Sequence, residues 1–308
     1  MGTVLIFGAT GDPQIVRVQD GLRARKARAV LFDTAAFPAR ANATIAGDSI
    51  RVGGRRLPAD ICSVYLRGIG ASPLLPEYAD DLKSRPRGLI AQIDECFALV
   101  ASIILSLKMR GVRVVNDLEV NAQHSRKPYQ LNLLLRAGLP VPQFLATNDP
   151  RRVREFVRRV GRAVYKPLAG GATVREVLRA DLSSDRLSAL ELSPVLFQER
   201  VDGVSVRAYV IGSRVVSAAA IHSSELDYRR DEGAVVPLRL SAEERRACSR
   251  AARACGMRFA GVDLIRGPRR FHVLECNPSP MFAVYEQKTG ADIAGPLCDF
   301  LLAPNRNL

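Results

Sequence analysis

Lysine is scarce in this 308-residue chain: six of its 45 basic residues are lysines, at 26, 83, 108, 127, 166 and 288, and the rest are arginines. The arginines are spread over every segment, with no single basic tract of the kind a nucleic-acid arm presents. A net charge of +14 therefore reads as a coding preference for arginine over a generally basic surface, and a nucleic-acid partner is not expected. Because lysine is rare here, its placement is informative, and Lys127 and Lys166 stand out. Histidine is scarcer still. The three, at 124, 222 and 272, lack metal-site spacing and belong to no Ser/His/Asp set. Six cysteines, at 62, 96, 248, 255, 276 and 298, form no C-x-x-C pair, which points to reduced structural thiols. The longest largely apolar run, Cys96 to Leu107, is twelve residues, short of the roughly 18 to 20 that span a bilayer. No basic region precedes the first apolar run, which ends at Phe7. A cytoplasmic, membrane-free protein is the expectation.

What is present is enough apolar sequence, 47%, for a full core in two or three subdomains. Residues 1 to about 120 alternate strand and helix signals, an α/β opening. Thr3 to Phe7 reads as a strand, Asp12-Pro13 as a helix start, Val30 to Asp33 as a second strand, and Cys62 to Leu66, ending at Arg67, as another. Asn42 to Leu57 reads as a hairpin, Leu89 to Lys108 as a long helix, and Val112 to Val115 as a strand. Gly8, Gly11 and the later Asp33 partly mimic a dinucleotide fingerprint, although the third glycine is missing. A nicotinamide-dependent oxidoreductase is therefore one alternative.

Beyond residue 120, Lys127 opens a helix through Arg136, and Asn148 or Asp149 caps another over Arg151 to Val160. Strands are expected at Ala163–Pro167, Thr173–Leu178, Pro194–Arg200, Val204–Ile211 and Arg214–His222, then a helix over Ala242–Cys255. The stretch Phe259 to Phe282 follows. Two apolar strands, Phe259 to Ile265 and Phe271 to Cys276, flank a Gly-Pro turn. Glu275 and Asn277, two residues apart, share a face, and pairing across the turn can bring Asp263 onto it. Three hard oxygen donors on one face suit Mg²⁺, whose remaining positions go to water and phosphate. The other reading is a plain hairpin whose acids end strands in solvent. A last helix is expected over Asp292–Leu302.

Taken in order, Thr147-Asn-Asp-Pro150, Val164-Tyr-Lys-Pro-Leu168 with Gly170-Gly171, Asp227-Tyr-Arg229 and the terminal D…E-x-N resemble the ATP-grasp superfamily. Within it they are similar to the RimK-like carboxylate–amine ligases, in particular the branch that matures graspetide (microviridin-type) peptides. The resemblance covers about Ser125 to Phe282. It implies an α/β protein, α+β in its C-terminal half: an ATP-grasp fold over 121–308, preceded by a Rossmann-like domain over 1–120. The grasp would divide into 121–197 and 198–308.

The resemblance also implies roles. Lys127 and Lys166 would hold ATP phosphates from two subdomains, and Gly170-Gly171 would bring backbone amides to the terminal phosphates. Gln198-Glu199-Arg200-Val201 would hold adenine. Ser205 stands where relatives carry an acid toward the ribose, with Asp202 as a substitute from the preceding turn. Arg207 would sit by the reacting phosphate, and Arg229 would steady the acyl phosphate and acceptor. Asp263, Glu275 and Asn277 would bind Mg²⁺, with Mn²⁺ as a replacement. The implied reaction is ATP-dependent joining of a carboxylate to an amine or hydroxyl through an acyl phosphate, with a peptide favoured over a small-molecule carboxylate as the substrate. The alternatives are a RimK-like amino-acid ligase, the oxidoreductase above, and a non-catalytic nucleotide or nucleic-acid binder. Arg67 is a candidate for holding an acidic substrate group, and a homo-oligomer is compatible with all of these.

Overall fold

The computed structural model describes residues 2–70, 76–169, 173–223 and 233–304. The chain forms two compact units: residues 1–118 with 281–283 and 294–308, and residues 119–280 with 284–293.

The first unit is built on β1 (Thr3–Gly8), α1 (Pro13–Ala24), β2 (Arg28–Asp33), β3 (Ala43–Ala46), β4 (Ser49–Val52), β5 (Arg55–Arg56) and β6 (Ile61–Leu66). It continues with α2 (Ala79–Ser84), α3 (Pro86–Met109) and β7 (Arg113–Val115). Strands β2-β1-β6-β7 form a parallel sheet in that order. Their near-continuous apolar runs, such as Val4 to Phe7, fit strands covered on both faces. Strands β3-β4-β5 make a separate antiparallel meander. Asp12 caps α1, its Oδ1 accepting from the Gln14 and Ile15 amides. That carboxylate occupies the amides a dinucleotide pyrophosphate would need, which removes the physical basis for a nicotinamide site. Asp33 is likewise turned to its own loop, accepting from Ala35 and Ala36.

Helix α3 corrects the expectation of a short apolar run. It has 24 residues, and by length and composition alone it is long enough to cross a membrane. The apolar run ends at Asp94-Glu95, whereas the long helix expected over Leu89–Lys108 is observed over Pro86–Met109 and adds Leu89, Ile90 and Ile93 to its apolar residues. One face, with Leu89, Val100, Ile103, Ile104 and Leu107, is buried, and the last four belong to the core that includes Leu5, Phe7 and Val64.

The second unit starts with α4 (Leu118–Ala122), α5 (Lys127–Arg136), β8 (Phe144–Thr147), α6 (Pro150–Val160), β9 (Ala163–Lys166), β10 (Arg175–Glu176) and α7 (Ser184–Ser188). Then come β11 (Val195–Glu199), β12 (Val204–Ile211), β13 (Arg214–Ile221), β14 (Val235–Pro237), α8 (Ala242–Ala254), β15 (Phe259–Arg266), β16 (Phe271–Asn277) and α9 (Ala283–Thr289). Two antiparallel sheets result, β10-β9-β11-β8 and β14-β13-β12-β15-β16. On the back of the larger sheet, Val206, Ala208, Val262, Leu264 and Val273 form one core with Ala247, Cys248 and Ala251 of α8. Alternation then turns Arg207 and Asp263 to the front. The expected strand Thr173–Leu178 contracts to the two residues of β10, and β14, α7 and α9 were not anticipated.

Helix α10 (Ala294–Leu302) returns to the first unit, against α1 and β6. Its Leu297, Cys298 and Leu301 are buried, and Arg25, just past the end of α1, reaches Asp299 and the Gly295 carbonyl. The sequence-based division, which kept everything after 120 together, is corrected at this point.

Candidate active site

Six of the expected residues gather at the front of the larger sheet of the second unit. Arg207 and Asp263 are direct cross-strand partners, and so are Asp263 and Glu275. Arg207 forks onto Asp263: its Nε donates to Oδ1, and its Nη2 donates to Oδ2 at 2.8 Å. Asn277 donates through Nδ2 to Asp263 Oδ2 at 3.1 Å, which leaves its Oδ1 as an acceptor. Gly261 makes room for this cluster, since a Cβ there would meet Pro280 Cβ at 2.8 Å and Arg207 Cδ at 3.3 Å. Lys127, at the first turn of α5, donates to Glu275 Oε2 at 2.9 Å. Lys166, at the end of β9 in the other sheet, has its Nζ 3.7 Å from the same oxygen. One carboxylate thus draws two lysines from two elements.

A plain continuation of the hairpin would not build this site. From Arg266 opposite Phe271 to Leu264 opposite Val273 the register is regular, and its next pair would be Asp263 with Leu274. A bulge at that point makes Leu274 the extra residue and sets Glu275 opposite Asp263.

The electrostatics follow from burial. Burial raises the Asp263 carboxyl above its usual range, with Glu275 adding to it, and Arg207 only partly offsets this. Burial also acts to raise Glu275, but Lys166 and Lys127, backed by Arg207, hold its carboxyl well below the ordinary value. Three cations against two carboxylates leave one positive charge in excess. That balance fits an anionic metal–triphosphate complex, and two carboxylates with one amide oxygen are hard donors of the type Mg²⁺ takes. No group of three or more His, Cys, Asp and Glu side chains suited to a metal occurs among the described residues. The donor set therefore leans on Asn277 and on phosphate.

The hinge segment is partly engaged by the protein itself. Glu199 accepts from the Gln143 amide at 3.2 Å, and its own amide donates to the Gln143 carbonyl at 2.8 Å. Arg200 is bonded to Glu176 and lies 3.3 Å from Asp202, which also accepts from Arg162 at 2.7 Å. Asp202 is thus held by two arginines. Ser205 lies on the front face two residues before Arg207, opposite Ile265. Gly170, Gly171 and Arg229 fall outside the described residues.

One expected side chain, Gln198, is more deeply set than its neighbours in the hinge, and one, His272, was missed. Gln198 is buried, and its Nε2 has no hydrogen-bond partner among the described residues. It shares a strand face with Leu196, the direct partner of Lys166. His272, opposite Ile265 and so on the Asp263 face, is also buried, and its Nδ1 has no hydrogen-bond partner among the described residues. Burial and then Arg270 lower its pKa, which favours the neutral ring, a donor and acceptor at once. The alternation that placed Glu275 and Asn277 could have flagged His272; the bulge broke that count. An open groove of about 1130 Å³ lies on the opposite side of the sheet, between α8 and Leu139, Val215 and Phe271.

Two antiparallel sheets supplying cations and carboxylates to one cluster define a nucleotide-dependent ligase of the ATP-grasp type. Residues 124–301 match the RimK-like ATP-grasp domain, and the chain belongs to that family. It is similar over 97% of both chains, at 36% identity and a TM-score of 0.88, to the ATP-grasp ligase PsnB, whose structure was solved with a phosphomimetic variant of a minimal precursor, Mg and ADP. The macrocyclase MdnC from Microcystis aeruginosa, solved with its precursor peptide MdnA, shares the fold at 23% identity and a TM-score of 0.82, over 98% of this chain and 99% of its own. A probable alpha-L-glutamate ligase of Pseudoalteromonas translucida is 32% identical over 213 residues, 65% of this chain and 70% of that protein. The chain is an ATP-dependent ligase.

Proposed function

We propose that this ligase acts on a peptide, joining a side-chain carboxylate to a hydroxyl or amine. The observation that carries the chemistry is the cluster of Lys127, Lys166 and Arg207 around Asp263 and Glu275. The likeness to PsnB along the whole chain supports the peptide, because it extends over the first unit as well as the grasp.

In this reading Asp263, Glu275 and Asn277 would hold Mg²⁺, which would supply charge neutralisation to the phosphates. Lys127 and Lys166 hold the phosphates. Arg207 steadies the γ-phosphoryl group as a substrate carboxylate oxygen attacks phosphorus and the bond to the ADP oxygen breaks. The acyl phosphate then meets the hydroxyl or amine: the new C–O or C–N bond forms, phosphate leaves, and the acceptor's proton is released. Positioning and fixed charge suffice, and no protein nucleophile is needed. Gln198 to Val201 hold adenine, with the buried Gln198 amide and His272 as polar contacts, and Ser205 lies toward the ribose. Gly170 and Gly171 cover the terminal phosphates, and Arg229 steadies the acceptor side.

Arg67, at the end of β6 and paired with Asp12 at 3.0 Å, is assigned to an acidic group of the substrate. The test is ADP release with acidic Thr/Lys-containing peptides, followed by mass spectrometry. Loss of one water per ADP supports the reading, and Arg67→Ala is expected to raise KM for the peptide. The second reading, amino-acid addition, is favoured by the names of the glutamate ligases. A product heavier by one glutamate residue would establish it in place of the first.

A further inference from the structure

Glu275 and Asn277 lie on β16, an edge strand that pairs with β15 alone among the described residues. Its outward backbone groups therefore need partners from elsewhere. Just before the bulge, the Val273 amide donates to the Pro140 carbonyl at 2.8 Å. Just after it stands Gln130, on α5 one turn beyond Lys127. Gln130 is 2% exposed; its Nε2 donates to the Cys276 carbonyl at 2.7 Å, and its Oε1 accepts from the Cys276 amide at 2.8 Å. A primary amide offers one donor and one acceptor side by side, as a peptide group does, so Gln130 serves as a one-residue strand neighbour.

The pinned residue lies between two of the assigned metal holders. Without the bulge, Leu274 would face Asp263, and Glu275 would turn toward the apolar back of the sheet. We infer that Gln130 is a positioning residue for the cation site: it holds β16 in the bulged register that sets Glu275 and Asn277 beside Asp263. This rests on the assignment of Asp263, Glu275 and Asn277 to the metal. Helix α5 thereby joins three tasks at its start, the Lys127 charge, the Gln130 clamp and the anchoring of Leu131 and Leu134 in the core.

The test measures Mn²⁺ binding to the protein–ADP complex by the electron paramagnetic resonance signal of free Mn²⁺. Gln130→Met keeps the size and removes both hydrogen bonds; it is expected to weaken Mn²⁺ binding by about tenfold or more, the effect of losing a group that orients a metal ligand. Gln130→Asn withdraws the amide by one methylene; it is expected to shift binding in the same direction and replaces the methionine variant if that does not fold. Leu134→Ala, on the same helix and fully buried, controls for destabilisation: it should lower the melting temperature and leave Mn²⁺ affinity unchanged. Wild-type affinity in the Gln130 variants, or an equal loss in Leu134→Ala, overturns the inference. Asp263→Asn with Glu275→Gln tests the underlying assignment. If that double variant binds Mn²⁺–ADP normally, the metal site and the clamp fall together; if it loses binding while Gln130→Met keeps it, the clamp alone fails.

Discussion

Arg207 and Asp263 show how much one pair carries. Both side chains are largely buried, so removing one partner strands a charge. Arg207→Ala is expected to cost about 3 kcal/mol or more of stability, and adding Asp263→Asn should recover part of it, read as a coupling in chemical denaturation. Arg207→Lys keeps the charge and loses the fork. It should leave the melting temperature near wild type and slow ADP release by about a hundredfold, the scale of losing one placed donor. The residue types of this site were legible from sequence, because two lysines among so many arginines and a D…E-x-N run are unusual. Their pairing was not. That Arg207 would be spent on Asp263, and Lys127 and Lys166 on one oxygen of Glu275, depends on strands 56 and 109 to 148 residues away.

At the scale of elements, helix α8 illustrates a local device with a distant partner. Ser241 and Glu244 form a capping box: the Glu244 amide donates to Ser241 Oγ at 3.1 Å, and the Ser241 amide donates to Glu244 Oε2 at 2.8 Å. Arg266 of β15 forks onto the same carboxylate at 2.6 Å for both bonds. Burial acts to raise this carboxyl, but the bond to Arg266, followed by the Ser241 amide, holds it below its ordinary 4.5. A depressed carboxylate contributes stability above its unfolded pKa and loses it as pH falls through the folded one. Glu244→Gln should therefore be less stable than wild type by about 1–3 kcal/mol at neutral pH, and the gap should close below about pH 4.5 in acid-dependent denaturation. The box is readable from Ser241-x-x-Glu244; the Arg266 fork is not. Helix α8 itself, the hairpin β15–β16 and the α/β opening were legible from periodicity, whereas the bulge at Leu274 was not, because no glycine marks it. Helix α9 escaped notice because seven residues after a Pro-rich turn carry too little periodic signal.

At the scale of the whole molecule, the return of α10 is the feature the sequence least disclosed. An apolar face announces that a helix will be buried, not which of two units will bury it. The contact is close: Gly21 of α1 lies against Cys298, and a Cβ at residue 21 would sit 2.7 Å from its Sγ. In an open helix Gly→Ala stabilises by about 1 kcal/mol. Here Gly21→Ala is expected to lower the melting temperature, and Cys298→Ala should reverse that sign by clearing the space. Hydrogen exchange should quicken in β1 and β6 of the single variant and stay slow in β12 and β15. The order in which the chain is made gives this contact a further meaning. During synthesis, α1 and its sheet emerge from the ribosome before α10, so the surface of α1 around Gly21 and the Val18 carbonyl stays uncovered until residue 302 has followed. The second unit, encoded between, can close on its own strands sooner. A part of the chain translated before the second unit is thus finished after it, and it is this surface that nascent-chain chaperones would meet.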